Sequence, residues 1–398
     1  MKPVKVALIG SGNISYTYLY TLCKGDFSII EVVGCSDIIP ERSKARAETF
    51  GIKQMNNEEI FADPEIEIVL NTTQLRYHSE VTRQALEAGK HVYSEKSMGN
   101  GYEGSLANYE LEQKKGLRIG CAPDIYMGAA YQTGRKLIDE GWIGAPLFAN
   151  AYCFRGYGVH ERADDNEDMV HFMSRGSSIT YDMSAYYVNA LVSLLGPVAR
   201  VSGFSRVYDG QTLTNPRHPN YKQPAHGQTG ETVSMGCFEF ESGVFGNMTL
   251  CSEGFWPEVP HVEIFGTLGT LKMPDPNCFG GQGLDVKMTR KGNDGEFTIP
   301  MTHSFTDMPW DTPTLTGKPE PCYNSWRGIA VVDMAWAIRR NRPHRSSAEL
   351  ALHTVEIVHS IDECSKDGQV RVTKSRPARP APLTAGLFGT SAEAAIDS

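Results

Sequence analysis

Residues 4–15 read VKVALIGSGNIS, a short apolar run that leads through two glycines into a helical pattern. The apolar run predicts a buried strand over 4–9. Two glycines at this spacing allow a tight turn that brings the backbone close to a pyrophosphate. The helix that follows offers that anion free N–H groups and the positive end of its dipole. This stretch therefore predicts a dinucleotide-binding turn with contacts from Gly10, Ser11, Gly12, Asn13 and Ile14.

Apolar runs and helical patterns keep alternating up to about residue 123, which is typical of βαβ units and a doubly wound parallel sheet. The further strands are predicted at 29–35, 66–71, 91–93 and 117–121. Beyond residue 123, long extended segments predict a mainly antiparallel sheet accompanied by helices. These extended segments lie at 147–154, 199–207, 232–240, 244–251, 262–265 and 270–273. Residues 274–325 are rich in proline and glycine and are predicted to form loops.

The length of 398 residues is enough for two domains. We divide the chain into a nucleotide-binding domain (1–123), an α+β domain (124–375) and an extended C-terminal arm (376–398). The net charge of −9, with no long basic run, argues against a nucleic-acid or membrane-surface partner. Nine scattered cysteines without a C-x-x-C pair are typical of free buried thiols in a reducing compartment. We therefore predict a cytoplasmic protein, and the scattered histidines predict no metal site.

The second predicted strand leads to an acidic residue, Asp37, at the spacing where a carboxylate accepts hydrogen bonds from the adenosine ribose. The same carboxylate would repel a 2′-phosphate, so the predicted cofactor is NAD rather than NADP. Arg42 lies one turn further on. It either covers the adenine ring or is a solvated charge on a helix.

The third predicted strand ends at a polar run, Thr72, Thr73 and Gln74. Ligands of open parallel sheets collect at the carboxyl ends of the strands, so these residues are predicted to contact the nicotinamide side of the cofactor. His78 follows at the start of the next helix. It is either a further cofactor contact or a structural residue.

The fourth predicted strand ends at Glu95-Lys96. Lys96 would project into the cleft between the domains, where an ammonium can donate to a substrate hydroxyl and stabilise an alkoxide that forms during hydride loss. Glu95 can orient the lysine or contact the edge of the nicotinamide. The alternative is a surface ion pair after a strand.

With these features the sequence resembles the Gfo/Idh/MocA family, the glucose–fructose oxidoreductase and inositol dehydrogenase family. The resemblance extends to about residue 375 and is carried by residues 10–15, Asp37, 85–96, 137–144 and 264–271. It implies an NAD-binding Rossmann domain followed by an open sheet with helices on one face, the other face serving contacts in a homo-oligomer (a dimer or tetramer). It also implies a small carbohydrate substrate, because family members act on sugars, cyclitols and related polyols.

The family's second motif is a glycine-rich turn followed by Asp-x-x-x-His on a helix. In this chain the turn begins at Gly176, Asp182 matches, and Tyr186 stands where the family has histidine. A spacing of four places both side chains on one helix face, so both can point into the cleft with Lys96. Asp182 is alternatively the helix N-cap, and Tyr186 alternatively a packing residue beside Tyr187.

The missing histidine leaves the proton carrier open between Tyr186 and two histidines of the preceding polar stretch, His160 and His171. Ser97 also departs from the family, which has proline after Glu-Lys. Asp124 and Gln132, where the chain enters the second domain, either bind substrate hydroxyls or tie the hinge together. Single aromatic residues are candidates for stacking on a sugar; these are Tyr126, Tyr157, Trp256 and Trp310.

The sequence therefore predicts an NAD-dependent oxidoreductase that transfers a hydride between nicotinamide and a hydroxyl-bearing carbon of a sugar, glycoside or polyol. Its predicted catalytic residues are Lys96, Asp182 and Tyr186, and Tyr157 and His160 are predicted to bind substrate. One alternative is an NAD-dependent glycoside hydrolase or lyase that works by transient oxidation, elimination and re-reduction. Another is a non-catalytic protein that senses NAD.

Overall fold

The computed structural model describes residues 1–99, 101–154, 178–207, 230–252, 254, 259–307, 325–386 and 392–397. The N-terminal part forms a six-stranded parallel sheet in the order β3-β2-β1-β4-β5-β6. Its strands are β1 (Val4–Ile9), β2 (Ile30–Ser36), β3 (Lys53–Gln54), β4 (Ile66–Asn71), β5 (His91–Ser94) and β6 (Ile119–Cys121). The helices between them are α1 (Asn13–Lys24), α2 (Pro40–Phe50), α3 (Asn57–Ala62), α4 (Leu75–Glu87) and α5 (Gly101–Lys115).

This sheet confirms the predicted Rossmann fold. The apolar run of β1 lies at the centre of the sheet, hydrogen-bonded to β2 on one side and β4 on the other. Val6, Ala7 and Leu8 are completely buried, as expected for a strand covered by helices on both faces. The strand order reverses between β1 and β4, and such a switch point leaves a crevice for ligands at the carboxyl ends of the strands.

The second sheet has nine described strands in the order β14-β13-β12-β11-β7-β10-β9-β8-β15. Among these strands only the pair β7–β10 is parallel, which confirms a mainly antiparallel sheet. Its strands are β7 (Pro146–Phe154), β8 (Val198–Arg206), β9 (Val233–Phe240), β10 (Phe245–Cys251), β11 (Val262–Gly266), β12 (Gly269–Met273), β13 (Val286–Arg290), β14 (Phe297–Ile299) and β15 (Arg371–Val372).

The prediction of loops throughout 274–325 is wrong at β13 and β14. Both strands extend the hairpin of β11 and β12, and β13 buries Val286 and Met288 against the core. They escaped detection because an alternation of only three to five residues, set among glycines and prolines, gives a weak periodic signal.

The remaining helices are α6 (Ala129–Asp139), α7 (Ile179–Leu195), α8 (Ile329–Arg340), α9 (Ala348–Asp367) and α10 (Glu393–Asp397), with a short 3-10 turn at Ile125–Met127. α9 packs on β8, α5 and α7, and α8 packs on α1 and β6. These late helices therefore contact both sheets. A buried ion pair (2.5 Å) joins Asp333 on α8 to Arg345 in the segment between α8 and α9.

The C-terminal arm follows α6 and α7 and then returns to the Rossmann domain. Arg379 donates to Asp139 (2.7 Å) and to the carbonyl of Ser193 (3.0 Å). The arm is not extended over its whole length, since its last described residues form the helix α10. There Glu393 accepts hydrogen bonds from the backbone N–H groups of Ser28 (2.9 Å) and Ile29 (3.0 Å).

Among the described residues, no helix combines the length and apolar character that crossing a bilayer requires. The eight cysteines of this part of the chain are all free thiols. Most of them are buried or partly buried, but Cys237 is exposed on β9, contrary to the expectation that all the thiols lie inside.

Candidate active site

The glycine turn after β1 allows an anion to approach the backbone closely. Gly10 adopts φ +100°, and a Cβ there would lie 2.6 Å from the backbone nitrogen of Thr73. Gly12 precedes α1, and no side chain caps the helix N-terminus at that position. A Cβ on Gly12 would meet nothing within 4 Å. The first N–H groups of α1 thus lack a side-chain partner from the cap, which fits a bound pyrophosphate.

Asp37 lies directly after β2, where the prediction places the ribose contact. Its two carboxylate oxygens accept hydrogen bonds from the backbone N–H groups of Ser11 (2.6 Å) and Ile39 (2.8 Å), which fix its orientation. A cavity of about 420 Å³ opens beside it, with room and polar groups for an adenosine. The cavity is lined by Ser36, Asp37, Ile38, Pro40, Ser43, Gln54, Met55, Asn56, Asn57 and Glu58.

Arg42 is exposed on α2 and does not line this cavity. The arginine one turn later, Arg46, instead reaches the glycine turn. It donates to the Ser15 hydroxyl (3.0 Å) and to the carbonyl of Gly12 (3.0 Å), and it lies over the ring of Tyr16. Sequence reasoning missed Arg46, although the i, i+4 spacing from Arg42 placed it on the same helix face.

The polar run after β4 closes on the glycine turn. The Thr72 hydroxyl donates to the carbonyl of Gly10 (2.7 Å), and Gln74 is the N-cap of α4. The ring nitrogens of buried His78 lie 2.9 Å from the carbonyl oxygen of Thr73 and 2.8 Å from that of Ser97. His78 therefore ties the loops after β4 and β5 together, which favours the structural alternative for this residue.

Glu95 and Lys96 follow β5 at the carboxyl edge of the sheet. The Lys96 ammonium forms a hydrogen-bonded ion pair with the carboxylate of Asp182. Burial alone would disfavour the charged lysine, but the negative charges of Asp182 and Glu95 raise the pKa of Lys96 above its usual value. Lys96 is therefore a cation throughout the neutral pH range.

Both carboxylate oxygens of Glu95 accept a hydrogen bond. Tyr18 donates to one carboxylate oxygen (2.7 Å), and the backbone N–H of Lys96 donates to the other (3.0 Å). Tyr18 comes from α1 and is fully buried. The helix that carries the phosphate turn thus also orients the residue next to the lysine, and sequence reasoning did not identify this contribution of Tyr18.

α7 presents Asp182 and Tyr186 to the same place. The helix begins at Ile179 after an N-cap at Ser178, so Asp182 lies in the first turn and is not the N-cap. The Lys96 ammonium lies 5.4 Å from the centre of the Tyr186 ring. The structure therefore brings together the three side chains predicted to be catalytic.

A second cation, Arg327, also contacts Tyr186. Its guanidinium donates to the Tyr186 hydroxyl (3.1 Å), and its Cζ lies 5.5 Å from the ring centre. Arg327 is separated from Tyr186 by 141 positions and precedes α8, so no local pattern pointed to it. The Tyr186 side chain thus lies close to two cations, an environment unlike that of a purely packing tyrosine.

Asp124 and Gln132 link the start of the second domain to its later part and to the C-terminal arm. Asp124 is 1% exposed and accepts hydrogen bonds from the backbone N–H groups of Gly328 (2.7 Å) and Ala330 (3.1 Å). Burial raises the pKa of its carboxyl to about 6. Gln132 donates to the carbonyl of Tyr126 (2.8 Å) and accepts from the N–H of Leu383 (2.8 Å). For both residues these contacts favour the hinge alternative over substrate binding.

Several predicted contacts fall on residues that lie outside the described part of the chain. These residues are Tyr157, His160, His171, Gly176, Trp256 and Trp310. Among the residues that are described, no group of three or more histidine, cysteine, aspartate or glutamate side chains is placed to hold a metal ion.

Comparison with known proteins agrees with this geometry. Residues 4–122 match the family model described as "Oxidoreductase family, NAD-binding Rossmann fold", and residues 131–272 match the GFO/IDH/MocA C-terminal domain. The chain belongs to the Gfo/Idh/MocA family. It is accordingly an NAD-binding oxidoreductase of that family.

Similar proteins of this family include inositol dehydrogenases. The chain is 24% identical to a scyllo-inositol 2-dehydrogenase (NAD⁺) of Bacillus subtilis over 67% of this chain and 73% of that protein. It is 27% identical to an uncharacterised oxidoreductase of Schizosaccharomyces pombe, where the match spans 49% of this chain and about half (53%) of that protein.

Among solved structures, the fold is similar to that of levoglucosan dehydrogenase in complex with NADH. That likeness has a TM-score of 0.72 at 19% identity and covers 95% of this chain and all of the other. At this identity the likeness shows a shared fold.

The two glycines of the turn give a matched pair of predictions. Gly12→Ala should lower NADH affinity by about tenfold with an unchanged Tm, because its new methyl meets no protein atom but lies where the pyrophosphate approaches. Gly10→Ala should lower Tm as well, since its methyl would collide with the Thr72–Thr73 backbone at a positive φ. Thermal melts and NADH fluorescence titrations check both. A Gly12→Ala variant with wild-type NADH affinity would contradict the placement of the cofactor.

Proposed function

We propose that the protein is an NAD-dependent dehydrogenase that oxidises a hydroxyl-bearing carbon of a sugar, glycoside or polyol. The observation that carries this proposal is the Lys96–Asp182 ion pair beside Tyr186, at the carboxyl edge of an NAD-binding sheet. The bound NAD⁺ supplies the hydride acceptor. The chain itself supplies the groups that hold the hydroxyl, stabilise its charge and remove its proton.

In this proposal Lys96 donates a hydrogen bond to the substrate oxygen and stabilises the negative charge that develops there as hydride leaves the carbon. Asp182 and Glu95 keep that lysine protonated and oriented, since both carboxylates lie beside it. Tyr186 accepts the hydroxyl proton, since its phenol lies beside Lys96 and already accepts a hydrogen bond from Arg327.

The proposed substrate class is supported by two facts. One similar protein is a scyllo-inositol dehydrogenase, which makes a cyclic polyol a reasonable first substrate. In addition, the site contributes an ammonium, a carboxylate and a phenol within one small region, and such donors and acceptors suit vicinal hydroxyl groups. Asp182, which is held by Lys96, can accept from a neighbouring hydroxyl of the same ring.

A panel of sugars, glycosides and cyclic polyols, each incubated with NAD⁺, tests the proposal. Net formation of NADH together with an oxidised product is the expected result. Free sugar released from a glycoside without net NADH would instead support hydrolysis or lyase chemistry by transient oxidation. Tight NADH binding with no product across the panel would contradict catalysis and support an NAD-sensing role.

We further propose a homo-oligomer formed through the open face of the second sheet. The helices cover one face, while the other exposes large apolar side chains such as Phe204 (73% exposed) on β8, Met235 (51%) on β9 and Phe245 (57%) on β10. Phe204 and Met235 are direct cross-strand neighbours, so they form a continuous patch of the kind that marks interfaces. A second copy of the chain offers the same patch.

The double variant Phe204→Lys with Met235→Lys is therefore expected to sediment as a smaller species than the wild type, because two charges would be buried without partners. Tyr77→Lys, which places a charge at an exposed tyrosine on α4, is the matched control and should leave the sedimentation unchanged. A double variant that sediments like the wild type would contradict an interface at this patch.

A further inference from the structure

Arg327 is an arginine buried inside the candidate active site, at the turn before α8. It is 4% exposed. Of its two terminal guanidinium nitrogens, Nη1 donates to the Tyr186 hydroxyl (3.1 Å) and Nη2 donates to the side-chain carbonyl of Asn277 (2.6 Å). Within the described part of the chain, no carboxylate lies at ion-pair distance from it. A buried cation that donates to a phenol and an amide, with no described acid at ion-pair distance, calls for an explanation.

The fold fixes this arginine from two directions. Gly328, with φ +104°, turns the chain directly after it, and the N–H of that glycine donates to Asp124 (2.7 Å). Asn277, which holds the guanidinium, is itself oriented by a hydrogen bond from its N–H to Asp275 (3.0 Å). Asp124 therefore acts on the site at a distance, by fixing the turn that carries Arg327.

The direction of the hydrogen bond between Arg327 and Tyr186 is unambiguous. A guanidinium has donors only, so the phenol oxygen must accept. The proton of the phenol then points away from Arg327 and is free for another acceptor. When the phenol has lost its proton, the negative oxygen keeps the same donor, and the Lys96 ammonium lies 5.4 Å from the centre of the ring.

We propose that Arg327 is a positioning residue for proton transfer, which orients the Tyr186 hydroxyl toward the substrate and stabilises its deprotonated form. This inference rests on the proposed role of Tyr186. In the oxidation, the substrate C–H bond breaks and its electron pair leaves as hydride to the nicotinamide of NAD⁺. The hydroxyl proton passes to the deprotonated Tyr186 oxygen, and the carbon–oxygen bond becomes a carbonyl. In the reverse reaction the hydride returns to the substrate carbon and the proton returns to its oxygen.

The charged groups around the phenol determine how its ionisation responds to a variant. Arg327 faces it from the turn before α8, and Lys96 faces it from the end of β5. Asp182, one turn earlier on α7, is paired with Lys96, and Glu95 contacts the Lys96 backbone. Glu95 also acts electrostatically on Arg327. Removal of Arg327 leaves Lys96, which is paired with Asp182, so the phenol oxygen loses the cation that donates a hydrogen bond to it.

The test is the pH profile of kcat/KM for oxidation of the best substrate of the panel. In Arg327→Gln the rate at pH 7 should fall by about tenfold to a hundredfold, and the pH of half-maximal rate should rise by about one to two units, so that activity recovers in alkali. Arg327→Lys keeps a charge and should lie between this variant and the wild type. Arg339→Lys, on α8 and paired with Glu67, is the matched control.

A purely structural role for Arg327 would lower the rate by the same factor at every pH, and that result would overturn the inference. A second readout needs no substrate: the ultraviolet absorbance of tyrosinate, measured between about pH 7 and pH 12 as the difference between each protein and its Tyr186→Phe counterpart. The tyrosinate absorbance that belongs to Tyr186 should appear at a higher pH in Arg327→Gln than in the protein that keeps Arg327. An equal midpoint of the Tyr186 absorbance change in Arg327→Gln and in the protein that keeps Arg327 would also overturn the inference.

The two readouts separate this inference from the function on which it rests. An active Tyr186→Phe enzyme, together with a Tyr186 midpoint that depends on Arg327, would contradict Tyr186 as proton carrier. That outcome would overturn the role of Arg327 in proton transfer and leave only the electrostatic coupling between the two side chains. An inactive Tyr186→Phe enzyme with a pH-independent loss in Arg327→Gln would overturn the inference alone.

Discussion

Lys96→Ala is expected to lower kcat by about a hundredfold to a thousandfold while NADH affinity stays close to that of the wild type. The ammonium is the only group of the Lys96–Asp182 pair that can stabilise an alkoxide, and the loss of one such donor costs about this much. The phosphate turn and Asp37, which would hold the cofactor, do not depend on the lysine. Steady-state kinetics and NADH titration measure the two quantities.

Removal of the lysine also leaves Asp182 as an unpaired, partly buried charge, which can destabilise the fold. The double variant Lys96→Met with Asp182→Asn removes both charges and should regain stability without regaining turnover. Lys136→Ala, which breaks an exposed i, i+4 pair with Glu140, serves as the lysine control and should behave as the wild type. Wild-type turnover in folded Lys96→Ala would contradict the proposed role of the lysine.

Tyr186→Phe is expected to lower kcat by about a hundredfold to ten-thousandfold, the usual contribution of a general acid or base. The ring stays in its packing site beside Lys96 and Arg327, so substrate and cofactor binding should change little. The pH profile should also lose the limb that reports ionisation of the tyrosine. Kinetics across pH, with Tm as a check on folding, measure this result.

Tyr187→Phe is a matched control for that variant. Tyr187 is the next residue on α7 and is fully buried, with its hydroxyl 3.0 Å from a ring nitrogen of His261. The variant loses a buried hydrogen bond, which costs stability of about 1 kcal/mol, but it should keep kcat. Full activity in Tyr186→Phe would return the proton transfer to a histidine of the undescribed stretch, such as His160 or His171.

The features predicted well from sequence are those that short stretches of chain determine. The strand, the Gly10–Gly12 turn and Asp37 share one βαβ unit, so their spacing alone implies where they meet. Asp182 and Tyr186 lie one turn apart on a single helix, which places them on the same face in any fold. These local rules were enough to predict the nucleotide turn and to place two of the three proposed catalytic residues, Asp182 and Tyr186, on one helix face.

The features that were missed depend on contacts between distant parts of the chain. Arg327 reaches Tyr186 because Asp124, more than two hundred positions earlier, holds the turn that follows Arg327. The sequence around Asp124 gives no sign of this, since a buried aspartate that caps a distant helix and a substrate-binding aspartate look alike in a single sequence. The sequence around Tyr18 likewise gives no sign that its hydroxyl supports Glu95, because the two residues are 77 positions apart.

The central claim is hydride transfer from a substrate carbon with Lys96 beside its oxygen, and isotope labelling tests it directly. The best substrate of the panel is prepared with deuterium on the carbon that is oxidised and incubated with NAD⁺. Mass spectrometry of the cofactor should show deuterium in the NADH from the wild type and from Lys136→Ala, and almost none formed by Lys96→Ala. NADH that carries only protium, or equal deuterium transfer by Lys96→Ala, would contradict the account.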